Sequence, residues 1–230
     1  MCSSDLGDMS LGFYFNNARC TGCRTCVVSC ADYHDLQIGR KYRRVIDIEG
    51  GTTAYKDDHS QCVSTTAYAY HVSLACNHCE HPECMHVCPT SAMHKNELGL
   101  VVVDEKRCIG CGYCTIACPY HAPSIDPILQ QSSKCDGCSD RVVEGKNPIC
   151  VDACPLRALE FGDIEKLSVK YPHTVQCVMP LPSEKYTKPC LLIEPGPAAL
   201  MAQPGEFSIS NIKEIENNFT EHQLVKESNG

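Results

Sequence analysis

Sixteen of the 20 cysteines fall into four groups of four, and this spacing constrains the chain more than any other feature. The first group is Cys20, Cys23, Cys26 and Cys30, at gaps of two, two and three. The second is Cys76, Cys79, Cys84 and Cys88, with its middle gap widened to four, and the third is Cys108, Cys111, Cys114 and Cys118. The fourth is Cys135, Cys138, Cys150 and Cys154, interrupted by an eleven-residue excursion. Cysteines three apart in an extended loop can aim their sulfurs at one centre. The longer step after the third cysteine carries the fourth onto a following helix, out of that loop's reach, so it must serve a neighbouring site.

Such cross-wiring is the logic of the C-x2-C-x2-C-x3-C-P run of two-cluster bacterial ferredoxins, where each group gives three thiolates to one 4Fe-4S cluster and its fourth to the other. Four groups, taken in two pairs, give four clusters. Two other sulfur chemistries compete. Disulfide scaffolds belong mostly to short secreted domains, and cysteines three apart seldom bridge well. Zinc takes two CxxC pairs per ion rather than triplets followed by Cys-Pro. A single CxxC would decide nothing, whereas four quartets, three of them ending in Cys-Pro, are specific. His78, His81 and His86 lie inside or beside the second group, where a Rieske arrangement could use histidine, but four cysteines already stand there at ligand spacing.

The rest of the composition agrees that something other than an apolar core holds this chain together. The hydrophobic fraction of 43% counts the cysteines, Trp is absent and only 5 Phe occur in 230 residues. A net charge of -8 disfavours nucleic acid as a partner. The opening MCSSDLGDMS has no basic and then apolar leader, and no run of roughly 18 apolar residues occurs, so neither an export signal nor a membrane span is expected. Cys2, Cys62, Cys177 and Cys190 are left over and read as free thiols. Neither a glycine-rich nucleotide fingerprint nor a paired-carboxylate or Ser-His-Asp arrangement stands out, so no substrate chemistry is assigned.

The expected fold is α+β, with two pseudo-symmetric bacterial-ferredoxin-like modules, one inserted in the other, irregular cluster-binding loops and an extended C-terminal arm. Residues 74-125 form the inner module. Its groups are joined by a strand near Ala92 to His94, a turn at Asn96 to Gly99 and a strand from Leu100 to Val103. Residues 11-30 plus 126-165 form the outer module, whose end strands GFYFN and ALEFG would meet in space. Residues 31-73 are an insertion covering the clusters, with strands at Tyr42 to Gly51 and Thr66 to Leu74. Residues 166-230 are a proline-dotted arm and a tail whose Ile209, Ile212, Ile215 and Phe219 suit a helix.

The stretches CTGCRTCVVSCADYHDL, CNHCEHPECMHVCPTSAMHK, VVVDEKRCIGCGYCTIACPY and KCDGCSDRVVEGKNPICVDACPLRALEFG, with the later YTKPC, resemble the iron-sulfur electron-transfer subunits of bacterial dimethyl sulfoxide reductase and related molybdopterin oxidoreductases. The likeness covers roughly residues 11 to 195. It implies four 4Fe-4S clusters. One would be held by Cys20, Cys23, Cys26 and Cys154, and a second by Cys76, Cys79, Cys84 and Cys118. A third would be held by Cys108, Cys111, Cys114 and Cys88, and the fourth by Cys135, Cys138, Cys150 and Cys30. In some members of the family a residue other than cysteine stands where Cys114 does and the site holds three irons; Cys114 favours four cubanes. Cys30 is followed by Ala31 where the other groups have proline, which removes no ligand.

The resemblance further implies a non-catalytic relay between a membrane anchor subunit oxidising menaquinol and a molybdopterin catalytic subunit reducing dimethyl sulfoxide or a similar S- or N-oxide. The same role in formate dehydrogenase, tetrathionate or polysulfide reductase, or an aromatic dehydroxylase is the alternative, and a zinc-stabilised interaction module the remote one. It places the chain at the membrane through its partners, on the periplasmic face after export with the catalytic subunit, or else in the cytoplasm. Arg19, Arg24, Arg107, Lys134 and Arg157 flank the groups and either raise cluster potentials or are surface charges. Backbone amides at Gly22, Gly110, Gly112 and Gly137 are expected donors to sulfur.

Overall fold

A computed structural model describes residues 10–56 and 61–215. Strand β1 (Leu11–Asn16) is buried along its whole length and alternates two apolar faces. Phe13 and Phe15 enter the main core, each contributing roughly 1.5–3 kcal/mol by burial. Tyr14, on the other face, joins a smaller cluster with Leu167 and Leu192. The first cysteine loop then leads into α1 (Thr25–Tyr33), whose buried face carries Cys26 and Cys30 one turn apart.

Residues 31–73 are more regular than a cover segment. Strand β2 (Arg44–Gly50) is followed by an exposed ribbon of β3 (Thr53–Tyr55) and β4 (Cys62–Thr65), then by β5 (Tyr68–Leu74). β5 returns antiparallel along β2, with Arg44 opposite Leu74 and Gly50 opposite Tyr68. Val45, Ile46, Ile48, Val72 and Leu74 are buried in the same contiguous core as Phe13 and Phe15.

Helix α2 (Glu83–His86), the hairpin β6 (Met93–Lys95) and β7 (Val101–Val103), and α3 (Tyr113–Ala117) make a compact block with Met93 and Val101 buried among Cys84 and Cys114. The hairpin turn is closed by Asn96, whose Oδ1 accepts from the N–H groups of Leu98 and Leu100. α2 packs on α3. The ribbon β8 (Ser124–Ile125) and β9 (Ser132–Ser133) connects to α4 (Ser139–Val143) and α5 (Ile149–Asp152), and α5 packs on α1. Strand β10 (Leu159–Asp163) pairs antiparallel with β1, Leu11 opposite Asp163, so GFYFN and ALEFG do meet.

Beyond Asp163 the chain is more structured than its prolines suggest. Helix α6 (Ile164–Lys170) starts where the Asp163 carboxylate accepts from the N–H groups of Glu165 and Lys166. The unbroken apolar run at Leu191 to Ile193 becomes β11 (Leu191–Glu194), a buried strand parallel to β1. After α7 (Pro197–Met201), β12 (Phe207–Ile209) pairs antiparallel with β2, and α8 (Ile212–Ile215) packs against β2. Ile209 therefore ends a strand, and only Ile212 and Ile215 of the isoleucine series are helical; Phe219 and Cys2 lie outside the described residues. The two larger sheets have the orders β10-β1-β11 and β12-β2-β5. Among the described residues no helix is long and apolar enough to cross a membrane.

Candidate metal centres

Each cysteine loop turns through a left-handed residue just before its second cysteine. These are Gly22 (φ 67°), His78 (φ 45°), Gly110 (φ 68°) and Gly137 (φ 75°). Such turns point successive amides inward and make an anion-binding concavity. Glycine is required at Gly110 for space as well, since a Cβ would lie 2.0 Å from the Gln130 carbonyl oxygen. Only the second group places a side chain at this position.

The turns bring the sulfurs together in sets drawn from more than one group. Cys20, Cys23 and Cys26 line one cavity with Cys154, walled by Phe15, Val45 and Leu159. Cys76, Cys79 and Cys84 line a second with Cys118, beside Val101, Tyr120 and Lys134. Cys108, Cys111 and Cys114 line a third with Cys88, beside Met93 and Val103. Cys135, Cys138 and Cys150 gather around Cys30, near enough that an ionised sulfur on one raises the pKa of its neighbours. Of the leftover thiols, Cys190 is buried with its Sγ 3.1 Å from Ser10 Oγ, and Cys177 donates to the Leu181 carbonyl. Cys62 is exposed on the β3–β4 ribbon.

Burial is the largest influence on several of these thiols. It pushes Cys20 up to about 11, and Cys30, Cys79 and Cys138 up to about 12. Cys23 moves the other way through its hydrogen bond from Thr25, and so does Cys88, where the amides of Met93, Thr90 and Ala92 with the Thr90 hydroxyl overcome a burial cost. Donors to sulfur come from several elements. Gly22 N–H serves Cys20, Ser132 N–H reaches Cys108 Sγ at 3.2 Å, and Ala158 N–H reaches Cys154 Sγ at 3.3 Å. The hydroxyls of Ser73 and Ser132 lie 3.5 and 3.2 Å from Cys26 and Cys114.

Between the cavities lie buried cations that the cysteine pattern does not announce. Arg43, in the bend just before β2, and Arg44, the first residue of β2, serve different sites. Arg43 lies over the Phe13 ring at 4.7 Å and donates to Ser73 Oγ at 3.1 Å, near Cys150, Cys26, Cys135 and Cys30. Arg44 donates to the carbonyls of Tyr120 and His121 near Cys118, and burial lowers its pKa to about 10. Lys134 donates to the Cys135 carbonyl at 2.9 Å and to the Val101 carbonyl. Of the five flanking cations singled out above, Lys134 alone is buried; Arg19, Arg107 and Arg157 are exposed, and Arg24 pairs with Asp47 and Glu214.

The shifts of cations and thiols describe two states of one system. Burial works against the charge on Arg43 and on Lys134, yet nearby thiolates outweigh it and hold both above their ordinary values. The same burial keeps most of those sulfurs protonated, and a protonated thiol offers no counter-charge. The balance is reached only when a metal ionises the sulfur. Arg43 Nε and Nη2 are also buried without a hydrogen-bond partner. A sulfur-ligated anionic cluster would satisfy them, so the residues fit such a group.

Size argues the same way. Sulfurs around one zinc ion, with Zn–S about 2.3 Å, lie less than about 4 Å apart. Among the described residues, the one set of three Cys, His or acidic donor atoms drawn within 4.8 Å of one another is His34, Asp136 and Cys138. The cysteine quartets stand wider and suit a larger body.

Comparison with known proteins gives concordant matches. The 4Fe-4S dicluster domain matches residues 67–164, and a 4Fe-4S binding domain matches residues 17–33. The chain is similar to the B subunit of anaerobic dimethyl sulfoxide reductase from Haemophilus influenzae, 46% identical over 204 residues, 89% of this chain and 98% of that protein. The corresponding B subunit from Escherichia coli K12 matches with the same identity and coverage. The thiosulfate reductase electron transfer subunit of Salmonella typhi is 36% identical over 154 residues, 66% of this chain and 75% of that protein.

Proposed function

Because this protein belongs to the family of iron-sulfur electron-transfer subunits that includes the B subunit of anaerobic dimethyl sulfoxide reductase, we propose that its sixteen grouped cysteines hold its four 4Fe-4S clusters in the cross-wired sets just described. The chain is a relay, and the clusters supply reversible one-electron chemistry when bound. One observation carries the ligand reading: each set of neighbouring sulfurs takes three cysteines from one group and the last cysteine from another.

The protein's own part is to hold, space and electrically balance those sites. Cys23 and Cys111 are exposed and belong to different sets, whereas the sets around Cys79 and Cys135 are buried. In this reading electrons enter at one exposed set and leave at the other. The contacts of β1 with β10 and of α1 with α5 support an outer module at 11–30 plus 126–165. The β6–β7 hairpin and the α2–α3 contact support an inner one at 74–125.

The catalytic partner in this reading is a molybdopterin subunit reducing dimethyl sulfoxide or a related S- or N-oxide. A membrane subunit oxidising menaquinol supplies both the electrons and the attachment, at the periplasmic face. The same relay serving thiosulfate, polysulfide or tetrathionate reduction is the second reading, favoured by the relatives at 34–38% identity. The higher identity of 46% with the dimethyl sulfoxide reductase subunits ranks it second.

Iron and acid-labile sulfide in anaerobically purified protein test the proposal. About sixteen of each per chain are expected, four per cubane. A colourless protein loaded with zinc would overturn it.

A further inference from the structure

Two of the buried cations stand between cluster sites rather than beside one. Lys134 lines the cavity of Cys76, Cys79, Cys84 and Cys118, yet it precedes Cys135 in the chain and donates to that residue's carbonyl at 2.9 Å. Its ammonium is also near the sulfurs of Cys76 and Cys84 in the second set and of Cys135 in the fourth. Arg43 is placed in the same way between the first and fourth. Its Nη1 donates to Ser73, which lines the first cavity with Oγ 3.5 Å from Cys26 Sγ. Its remaining nitrogens, Nε and Nη2, have no partner, while Cys150, Cys135 and Cys30 lie near the guanidinium. Among the described residues neither cation has a carboxylate within ion-pair distance, so the sulfur sites are the only negative charges available to them.

We propose that Arg43 and Lys134 are shared counter-charges, each raising the reduction potentials of the two clusters it separates, so that neighbouring potentials stay close enough for electrons to pass from the outer module to the inner one. The proposal rests on the ligand sets above. An oxidised cubane with four thiolates carries about two negative charges, and reduction adds another. A cation in a low-dielectric wall stabilises the more negative state of every cluster it faces. A cation facing one cluster would open a gap between neighbours, whereas one facing two moves both together. Passing an electron oxidises one cluster as it reduces the next; no bond is made and no proton moves. Each 59 mV of gap changes the one-electron equilibrium tenfold, so a cation shared by two clusters keeps the exchange between them from becoming one-sided.

The test is a redox titration monitored by electron paramagnetic resonance, on the assembled complex, of Arg43→Met and Lys134→Met beside wild type. In each variant two of the four midpoint potentials should fall, each by about tenfold in equilibrium constant, or 59 mV. One potential should fall in both variants and one in neither. Arg43→Lys and Lys134→Arg should keep most of the wild-type values. Four unmoved potentials, or a single potential moved by each variant, at full iron content, would overturn the proposal. Wild-type iron far below four clusters would instead overturn the ligand reading.

Should the methionine variants fail to load, pulsed resonance on wild type labelled with 15N-lysine replaces them. Lys134 is the one buried lysine among the described residues. Its nitrogen should couple to two reduced clusters, with the signal absent in Lys134→Arg; no lysine coupling, or coupling to one cluster, contradicts the shared placement.

Discussion

The Nε2 atom of His78 lies 3.9 Å from Cys135 Sγ, although His78 sits in the loop of the second cysteine group and Cys135 opens the fourth. Its Nδ1 accepts the Val101 N–H at 3.1 Å, and full burial, with Lys134 nearby, holds its pKa well below the usual histidine value. The ring is therefore neutral, with its proton on Nε2, facing the sulfur. The left-handed backbone that the other three loops give to glycine is here given to a residue that ties two groups together. His78→Ala keeps the backbone cost and leaves the buried Val101 N–H without an acceptor. It should cost about 1–3 kcal/mol. Anaerobic unfolding of the loaded chain measures this; an unchanged midpoint would remove the structural role.

Cross-wiring makes a pairing test available. Cys23→Ser and Cys154→Ser, 131 residues apart in sequence, should each bring iron to about twelve per chain and erase the same resonance signal. Cys88→Ser and Cys108→Ser should erase a different shared signal. Loss of different clusters by Cys23→Ser and Cys154→Ser would break the assignment.

Stripping iron should unfold the chain rather than leave an empty shell. Arg43 and Lys134 would lie buried beside protonated thiols, with no counter-charge for either. Chelation under reducing conditions should abolish cooperative unfolding, read by circular dichroism. A stripped chain with an undiminished unfolding transition would mean that the apolar core alone suffices.

The four cysteine groups were legible because spacing within a group is a local property, readable over eleven residues in the first and third, whereas which groups share a site is not local and came from the resemblance. β1, β10 and the β6–β7 hairpin were legible for a similar reason, since alternation and a turn at Asn96 to Gly99 mark them directly. Arg43 and Arg44 were not. In YRRVIDIEGG nothing distinguishes a buried arginine from a solvated one, and charged residues are ordinarily outside. Only the anionic interior makes a core position tenable. The position of His78 inside the second group is visible in the sequence, but its link to Cys135 depends on how two residues 57 apart are brought together. Strand β11 was hidden by the prolines around it, because Leu191 to Ile193 is short and its partners in β1 are 178 residues away by sequence.

Asp163 separates fold stability from cluster chemistry. Its side chain caps α6 without touching a cysteine. Asp163→Ala should cost about 1 kcal/mol and leave iron content and potentials as in wild type. Iron loss at unchanged stability would show that α6 supports the cluster sites directly.

Coulometric reduction of the anaerobically purified chain tests the account most directly, because conduction requires that the bound inorganic centres accept electrons. About four electrons per chain are expected, one for each 4Fe-4S cluster, with the brown colour bleaching in step. Uptake of none, with the metal content accounted for by zinc, would contradict it.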